Sequence, residues 1–299
     1  MSFARTCFSF LFFLFMCFSS FAQTPNYLWT KGFGGDQSDM GRSVAIDLVG
    51  NSVVTGGFNS SYIVFGSDTL FNSGSAGMED FFLAKLDAFG SPIWAIQAVG
   101  VGAETGNGVA IDALGNITVV GTYTDTTVVF GSDTLPGPYG TRAFIARYDA
   151  SGNELWAKTF SGTYQNQGQA VCNDTFGNIF FTGSYRGASV TFDTLAPFAS
   201  SFANDNAYLI KMDPSGNALW GKSIGGNYLD EGTGVACDPS GNVHLCNKDG
   251  LIILDSKGKR LALIQLETIP ANICWGGPAL KDLFITARKN IFLIKNLLR

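Results

Sequence analysis

Four oxygen-bearing side chains recur at one place in the sequence, each two residues before a glycine and eight residues before an aspartate. They are Asp39, Glu104, Asn166 and Asp230, and Thr268 stands near a fifth such position. If the units that carry them form a ring, their loops meet at one end of its axis. The carboxylates of Asp39, Glu104 and Asp230 then predict a Ca²⁺ site. Two alternatives stay open: the loops bind polar groups of a sugar, or each side chain hydrogen-bonds only its own loop.

A second polar set follows three residues later in each unit. Its members are Arg42, Asn107, Gln169 and Thr233. We expect them at the mouth of the central channel, either as ligand contacts or as ordinary channel polarity. No catalytic residue is predicted, because His244 is the only histidine and no G-x-S-x-G elbow accompanies it. The adjacent acids Asp230 and Glu231 are expected to be a solvated loop pair rather than an acid–base pair.

The composition excludes several classes of protein. The chain has 299 residues, of which 46% are hydrophobic and only 14% are charged, so it is too apolar for a disordered protein. Nineteen basic residues against 24 acidic ones, with no basic run, argue against nucleic-acid binding. A single histidine excludes a histidine-cluster metal site.

An internal repeat determines the predicted fold. Tryptophans at Trp29, Trp94, Trp156 and Trp220 are separated by 65, 62 and 64 residues. A D-x-x-G-N turn recurs with the same three spacings, beginning at Asp47, Asp112, Asp174 and Asp238. Two independent markers that share one period indicate a repeated structural unit. The fixed position of the tryptophans favours packing over sugar stacking.

Each unit is predicted to be one blade of a β-propeller. Asp suits the first position of a type I turn and Gly its left-handed close, so each D-x-x-G joins two strands of a hairpin. Two hairpins give four strands in a unit of ~60 residues, which is the size of one propeller blade. The predicted blades span 41–100, 106–162, 168–226, 232–267 and 268–299 together with 26–35.

The two chain ends predict how the ring closes. An extra Trp29 strand stands at the N-terminus, and the last unit lacks one strand, so we expect these segments to pair and to cover the exposed sheet edges. The expected fold is therefore a five-bladed all-β propeller over 23–299. A six-bladed or incomplete propeller, as in a truncated gene product, is the alternative.

The N-terminal segment has the features of a secretory leader. Arg5 precedes an apolar run, and Ser20-Phe21-Ala22 supplies small residues before a cleavage point after Ala22. No later run reaches the ~18 apolar residues of a membrane span. The chain is expected to be secreted or periplasmic and monomeric. Four cysteines remain after the leader is removed: Cys172, Cys237, Cys246 and Cys274. We expect them to be buried and to pack as small hydrophobic residues, and a disulfide between two of them is the alternative.

Two family resemblances follow from these motifs. Over about residues 29–242 the chain resembles the SBBP-type propeller repeats of secreted bacterial proteins. The resemblance lies in the W-x-K-x-x-G-G start, the V-A-x-D-x-x-G-N hairpin and the F-L-A-K-L-D strand. The leader is similar to those of Bacteroidetes. Residues from about 230 to 299, with Pro270–Pro278 and Leu283–Arg288, resemble the last blade of the gluconolactonase/regucalcin family.

The second resemblance implies a metal-dependent lactone hydrolase with six blades and a divalent cation in the channel. One family ligand is an Asp before the Gly that opens an inner strand, and Thr233 stands there before Gly234. The first-blade Glu ligand also has no counterpart. We therefore expect a non-enzymatic binding or scaffold module for a glycan or protein at the envelope or outside the cell. A metal-dependent lactone or ester hydrolase is the alternative.

Overall fold

Strands are the regular elements of the part of the chain that the structure describes. The computed structural model describes residues 28–74, 77–137, 140–162, 165–187, 190–198, 204–225, 230–276 and 281–295, and these contain no helix. Accordingly, the described part of the chain offers no helix that could cross a membrane. The predicted leader, residues 1–22, lies outside the described residues.

Five consecutive antiparallel sheets form the blades of a propeller, as predicted. The first four have four blade strands each, and each blade runs in chain order from its inner to its outer strand. Blade 1 consists of β1 (Asp39–Ile46), β2 (Ser52–Phe58), β5 (Asp80–Leu86) and β6 (Pro92–Gln97). Blade 2 consists of β7 (Glu104–Ile111), β8 (Ile117–Tyr123), β11 (Arg142–Tyr148) and β12 (Glu154–Gly162). Blade 3 consists of β13 (Asn166–Asn173), β14 (Ile179–Tyr185), β16 (Asn206–Met212) and β17 (Ala218–Ile224). Blade 4 consists of β18 (Gly234–Cys237), β19 (Val243–Asn247), β20 (Gly250–Leu254) and β21 (Arg260–Ile264). Blade 5 has the three strands β22 (Asn272–Gly276), β23 (Asp282–Ala287) and β24 (Asn290–Ile294).

The recurring turns are held by their own aspartates. In the first turn, Asp47 Oδ1 accepts hydrogen bonds from the Val49 and Asn51 backbone N–H groups, and Oδ2 accepts one from Asn51 Nδ2. Gly50 closes the turn with φ of +90°, a conformation that favours glycine. The D-x-x-G-N motif thus specifies each inner hairpin locally.

Blades pack through apolar residues of the inner strands. Val109, Val171, Val235 and Ile273 hold the same place in blades 2 to 5, and each packs in the core cluster shared with the preceding blade. All four are buried. Removing these side chains from water supplies the hydrophobic stabilisation between blades.

The F-G-S-D-T-L segments cover the outer strands. They form the hairpins β3 (Tyr62–Phe65) with β4 (Asp68–Phe71), and β9 (Thr127–Phe130) with β10 (Asp133–Pro136). Asp68 and Asp133 accept hydrogen bonds from the backbone N–H groups of Ala95 and Ala157 on the outer strands. The shorter segment in blade 3 forms β15 (Val190–Phe192), which pairs with β12 of blade 2. These inserts therefore protect backbone edges that would otherwise be open.

The repeat tryptophans connect each blade to the next. Trp94 lies against the Gly152 turn of blade 2, and its Nε1 donates to Ala150 O at 3.3 Å. Trp156 and Trp220 lie against the Gly216 and Gly258 turns in the same way. Their role in the fold is packing, as the sequence favoured.

The N-terminal segment places Trp29 against a turn of blade 1, as the other repeat tryptophans lie against turns of the next blade, but it does not form a strand. Trp29 packs on the Gly90 turn and donates to Ala88 O at 3.0 Å, and Phe33 stacks on Phe65. Residues 28–35 contain no strand, and the fifth sheet has three strands in the described residues. The predicted pairing of 26–35 with the C-terminal strands is therefore not formed over 28–35. Side-chain packing replaces it.

One pair of cysteines corrects the sequence reading. Cys172 on β13 and Cys237, which ends β18, form a disulfide with Cα atoms 6.2 Å apart. We expected small buried hydrophobic residues at both positions, and the alternative, a disulfide, is what the structure contains. The bond joins the inner strands of blades 3 and 4. Cys246 is buried and free, and Cys274 is exposed and free.

Candidate functional site

A polar cavity lies where the five inner strands meet. It has a volume of about 330 Å³ and is lined by residues of β1, β7, β13, β18 and β22 and by Thr233, which precedes β18. Its polar side chains include Arg42, Asn107, Gln169, Thr233 and Asn272. The structure thus brings together the four residues that the sequence placed at the channel mouth. We call this cavity the channel pocket.

Three of these side chains are held by protein partners, two of them across a blade junction. Asn107 Nδ2 donates to Gly168 O at 2.8 Å, and Thr233 Oγ1 donates to Pro270 O at 2.9 Å. Arg42 Nη2 forms an ion pair with Glu79 Oε2 at 2.9 Å. These bonds fix the side chains before any ligand arrives, which lowers the entropy cost of binding.

The predicted acid and amide ring does not line the channel pocket. Asp39 accepts hydrogen bonds from Ser60 Oγ and from the backbone N–H groups of Gly35, Asn59 and Ser60. Burial raises the pKa of Asp39, but these donors outweigh it and hold the pKa below its usual range. Its oxygens are therefore used within the loops of blade 1.

Two other members of the ring are also engaged by protein groups. Asn166 Oδ1 accepts a hydrogen bond from Ala143 N at 2.7 Å, which ties blade 3 to blade 2. Asp230, whose side chain is fully buried, forms an ion pair with Lys248 Nζ at 3.0 Å. Its neighbour Glu231 is exposed, so the two acids do not act as a pair.

Glu104 differs from the other three. It is fully buried at the start of β7, and neither carboxylate oxygen has a hydrogen-bond partner among the described residues. Burial raises its pKa to about 8, and the nearby carboxylates of Asp80 and Asp125 add to that rise. Asp39, Glu104 and Asp230 thus lie at separate places in the ring, and no group of three or more acidic, cysteine or histidine side chains in the described chain forms a metal centre.

The channel pocket does not fit the cation that the hydrolase resemblance implies. Its lining contains no carboxylate, and Thr233 stands at the position where that family has an aspartate. The affinity of a site for a divalent cation depends on the charge of its oxygen ligands, and this lining supplies no negative charge but includes the guanidinium of Arg42. The lining offers amides, a hydroxyl and a guanidinium, which recognise hydroxyl or anionic groups instead.

The turn aspartates have basic partners that sequence reasoning missed. Arg147 forms a buried ion pair with Asp112, and Lys85 and Lys211 lie within 4.0 Å of the equivalent aspartates. In blade 4 the equivalent residue is Ile253, and buried His244 lies 3.4 Å from Asp238 instead. Desolvation lowers the pKa of His244, although Asp238 opposes this. The shared F-L-A-K-L-D and A-F-I-A-R-Y-D pattern was the signal for these pairs.

Comparisons with known proteins give one family match. Residues 206–289 match the SMP-30/Gluconolactonase/LRE-like region, which covers β16 to β23 and their connections. An uncharacterised WD repeat-containing protein of Acanthamoeba polyphaga mimivirus is 28% identical over 184 residues. That alignment covers 56% of this chain and 13% of the viral protein, so the chain spans about an eighth of that relative's length.

Solved structures give low similarity. The β-propeller domain of Cps50 (Swd1) from Myceliophteria thermophila is 8% identical with a TM-score of 0.48, over 87% of this chain and 66% of that one. A protein of unknown function from Bacteroides caccae is 11% identical with a TM-score of 0.44, over 72% and 65%. A luciferin-regenerating enzyme is 12% identical with a TM-score of 0.41, over 83% of both chains.

Proposed function

We propose that this chain is a secreted binding module whose channel pocket takes a small hydroxyl-bearing ligand, such as a sugar unit of a glycan. The observation that carries the proposal is the lining of the pocket by side chains from five blades without any carboxylate. Amide and hydroxyl groups both donate and accept hydrogen bonds, as sugar hydroxyls do. The pocket volume of about 330 Å³ suits a ligand of that size.

Secretion is supported by two separate features. The predicted leader ends at Ala22, and the disulfide between Cys172 and Cys237 is a bond that persists in oxidising compartments. Membership of the SBBP-type bacterial repeat family belongs to the same proposal, since that family implies secretion. Expression of the full chain in a secreting host tests this point, and the exported protein is expected to begin at Gln23.

The binding proposal is tested on a glycan array with the exported chain, followed by calorimetric titration of the best ligand. Gln169→Ala and Asn272→Ala each remove a polar group from the pocket lining and should weaken binding by about tenfold. Gln265→Ala changes an exposed glutamine outside the pocket and serves as the matched control. Absence of any array signal, or equal binding by all three variants, would refute a ligand site in the channel pocket.

A lactone hydrolase is the second candidate, because residues 206–289 match the gluconolactonase-like family model. Hydrolysis of gluconolactone by the full chain should be measured with Ca²⁺, Zn²⁺ and Mn²⁺ added in turn. Turnover above the spontaneous rate that EDTA removes would support this candidate. A rate equal to the spontaneous rate would reject it for this substrate and leave the binding module.

A further inference from the structure

The junction between blades 1 and 2 contains two buried acids with unpartnered oxygens. Glu104 and Asp80 are both fully buried. Asp80 Oδ2 accepts hydrogen bonds from the Ser73 backbone N–H at 2.6 Å and from Ser73 Oγ at 2.8 Å. Asp80 Oδ1 and both Glu104 oxygens have no hydrogen-bond partner among the described residues. Buried carboxylate oxygens without a hydrogen-bond donor are costly unless a proton or a cation accompanies them. A proton or a cation must therefore accompany the three unpartnered oxygens of Glu104 and Asp80.

The equivalent junctions solve the same problem with protein groups. Where blade 1 has Asp80, blades 2 and 3 have Arg142 and Asn206. Where blade 2 has Glu104, blade 3 has the neutral Asn166, and the blade 4 repeat has Asp230 paired with Lys248. The junction between blades 1 and 2 alone among these three places two acids opposite each other.

Oxygen atoms of two loops surround this position. A Cβ on Gly100 would stand 2.4 Å from Glu104 Oε1 and 2.9 Å from Asp125 Oδ2. A Cβ on Gly74 would stand 3.0 Å from Gly102 O and 3.1 Å from Asp80 Oδ1. Glycine at both places thus lets the main chain approach these oxygens closely, which brings the oxygens of the two loops near one another.

No basic side chain closes the cluster in the described chain. The ion pairs among the described residues include neither Glu104 nor Asp80. Asp125 is held by the backbone N–H groups of Val101, Gly102 and Thr126, which lower its pKa and keep it charged. The cluster therefore presents carboxylate and main-chain carbonyl oxygens without a counter-ion.

We propose that Glu104 and Asp80, together with the main-chain carbonyl of Gly102, bind one Ca²⁺ between blades 1 and 2. Ca²⁺ accepts a mixed set of carboxylate, carbonyl and water oxygens in flexible geometry, whereas Mg²⁺ demands a near-ideal octahedron. Asp125 adds negative charge beside the site. The ion joins the loop before β5 to the start of β7 and stabilises the junction of the two blades.

The test uses the full exported chain after EDTA treatment and dialysis. Calorimetric titration with CaCl₂ should give one ion per chain, and a saturating concentration near 100 times Kd should raise Tm by roughly 5–10 °C. MgCl₂ should give a smaller rise. Glu104→Gln and Asp80→Asn should each abolish the Ca²⁺-dependent rise, and Glu104→Gln should melt in EDTA no lower than the wild type, because it removes a buried charge.

Asp39→Asn is the matched control, since Asp39 holds the equivalent position in blade 1 and its oxygens are already hydrogen-bonded. It should lower Tm in EDTA but keep the Ca²⁺-dependent rise. If Glu104→Gln fails to fold, Asp80→Asn carries the test alone. A wild type without heat or Tm change in Ca²⁺ would overturn the proposal and show that a proton balances Glu104. A rise that both junction variants retain would also overturn it.

Discussion

The disulfide between blades 3 and 4 gives the sharpest prediction about stability. Cys172 and Cys237 are separated by 65 residues along the chain. A cross-link that closes a loop of this length lowers the chain entropy of the unfolded state and is worth about 4 kcal/mol. Reduction should therefore lower the free energy of unfolding by about 4 kcal/mol, provided that the folded structure tolerates the two thiols.

Guanidinium unfolding with and without dithiothreitol measures this effect. The Cys172→Ala/Cys237→Ala double variant should be destabilised by a similar amount and should not respond to the reductant. Cys274→Ser alters an exposed free cysteine and should respond as the wild type does. A thiol count on the exported, denatured and unreduced chain should find two reactive thiols, those of Cys246 and Cys274.

Two results would refute this reasoning. Four reactive thiols in the unreduced exported chain would mean that the bond is absent. Two thiols with identical unfolding curves in both conditions would mean that the bond exists but does not restrict the unfolded chain as the loop-closure argument requires.

Three further predictions concern the blades themselves. Between pH 7.5 and 5.5 the wild type should lose free energy of unfolding relative to His244→Gln. Burial keeps the pKa of His244 below its usual value of 6.5, so in this range the unfolded chain binds a proton at His244 that the folded chain does not. The loss is at most about 1.4 kcal/mol per pH unit for this group, and His244→Gln should remove that part of the pH dependence in urea titrations. Arg147→Met should destabilise the chain by about 3–5 kcal/mol, because it leaves Asp112 buried without its partner. The Arg147→Met/Asp112→Asn double variant should recover part of this loss. If the losses of the two single variants simply add in the double variant, the pairing is contradicted. Gly216→Ala should lower the free energy of unfolding by more than about 1 kcal/mol, measured by chemical unfolding. Gly216 has φ of +88°, and a Cβ there would stand 2.8 Å from Trp156. Ser215→Ala in the same turn is the control and should have little effect.

The repeated features were predictable from the sequence because each is encoded locally. Asp47 and Gly50 specify a hairpin through their own hydrogen bonds and φ angle, and the same pattern in four units indicates blades. The identity of partners across blades was not predictable. Asp39 bonds to Ser60 instead of facing the axis because of the conformation of the loop after β2. The spacing of Asp39 and Gly41 in the sequence is the same for both arrangements, so it cannot distinguish them.

The acids of the predicted metal ring, Asp39, Glu104 and Asp230, have different surroundings although they hold equivalent sequence positions. A shared sequence position guarantees a shared place in the blade, but it does not place the side chains around one point. Asp230 and Glu104 each lie against residues of the preceding blade or of their own loops, away from the pocket that Arg42 and Gln169 line. The residues three positions later reach the channel because they lie on the inner strands themselves.

The same comparison identifies the junction between blades 1 and 5 as the weakest in the ring. Val44 holds the position of Val109, Val171, Val235 and Ile273. Those four are at most 8% exposed, whereas Val44 is 62% exposed. The N-terminal segment covers the outer part of blade 1 through Trp29 and Phe33, but the inner strand lies beside a second cavity of about 410 Å³ that Asn272 also lines. Because burial of apolar area provides most of the attraction between blades, local opening of the ring should begin between β1 and β22.

Hydrogen exchange resolved by segment should then show faster exchange in β1 than in β7, which has the same sequence pattern but a packed neighbour on each side. Equal protection of the two strands would show that the exposed position of Val44 does not weaken this junction.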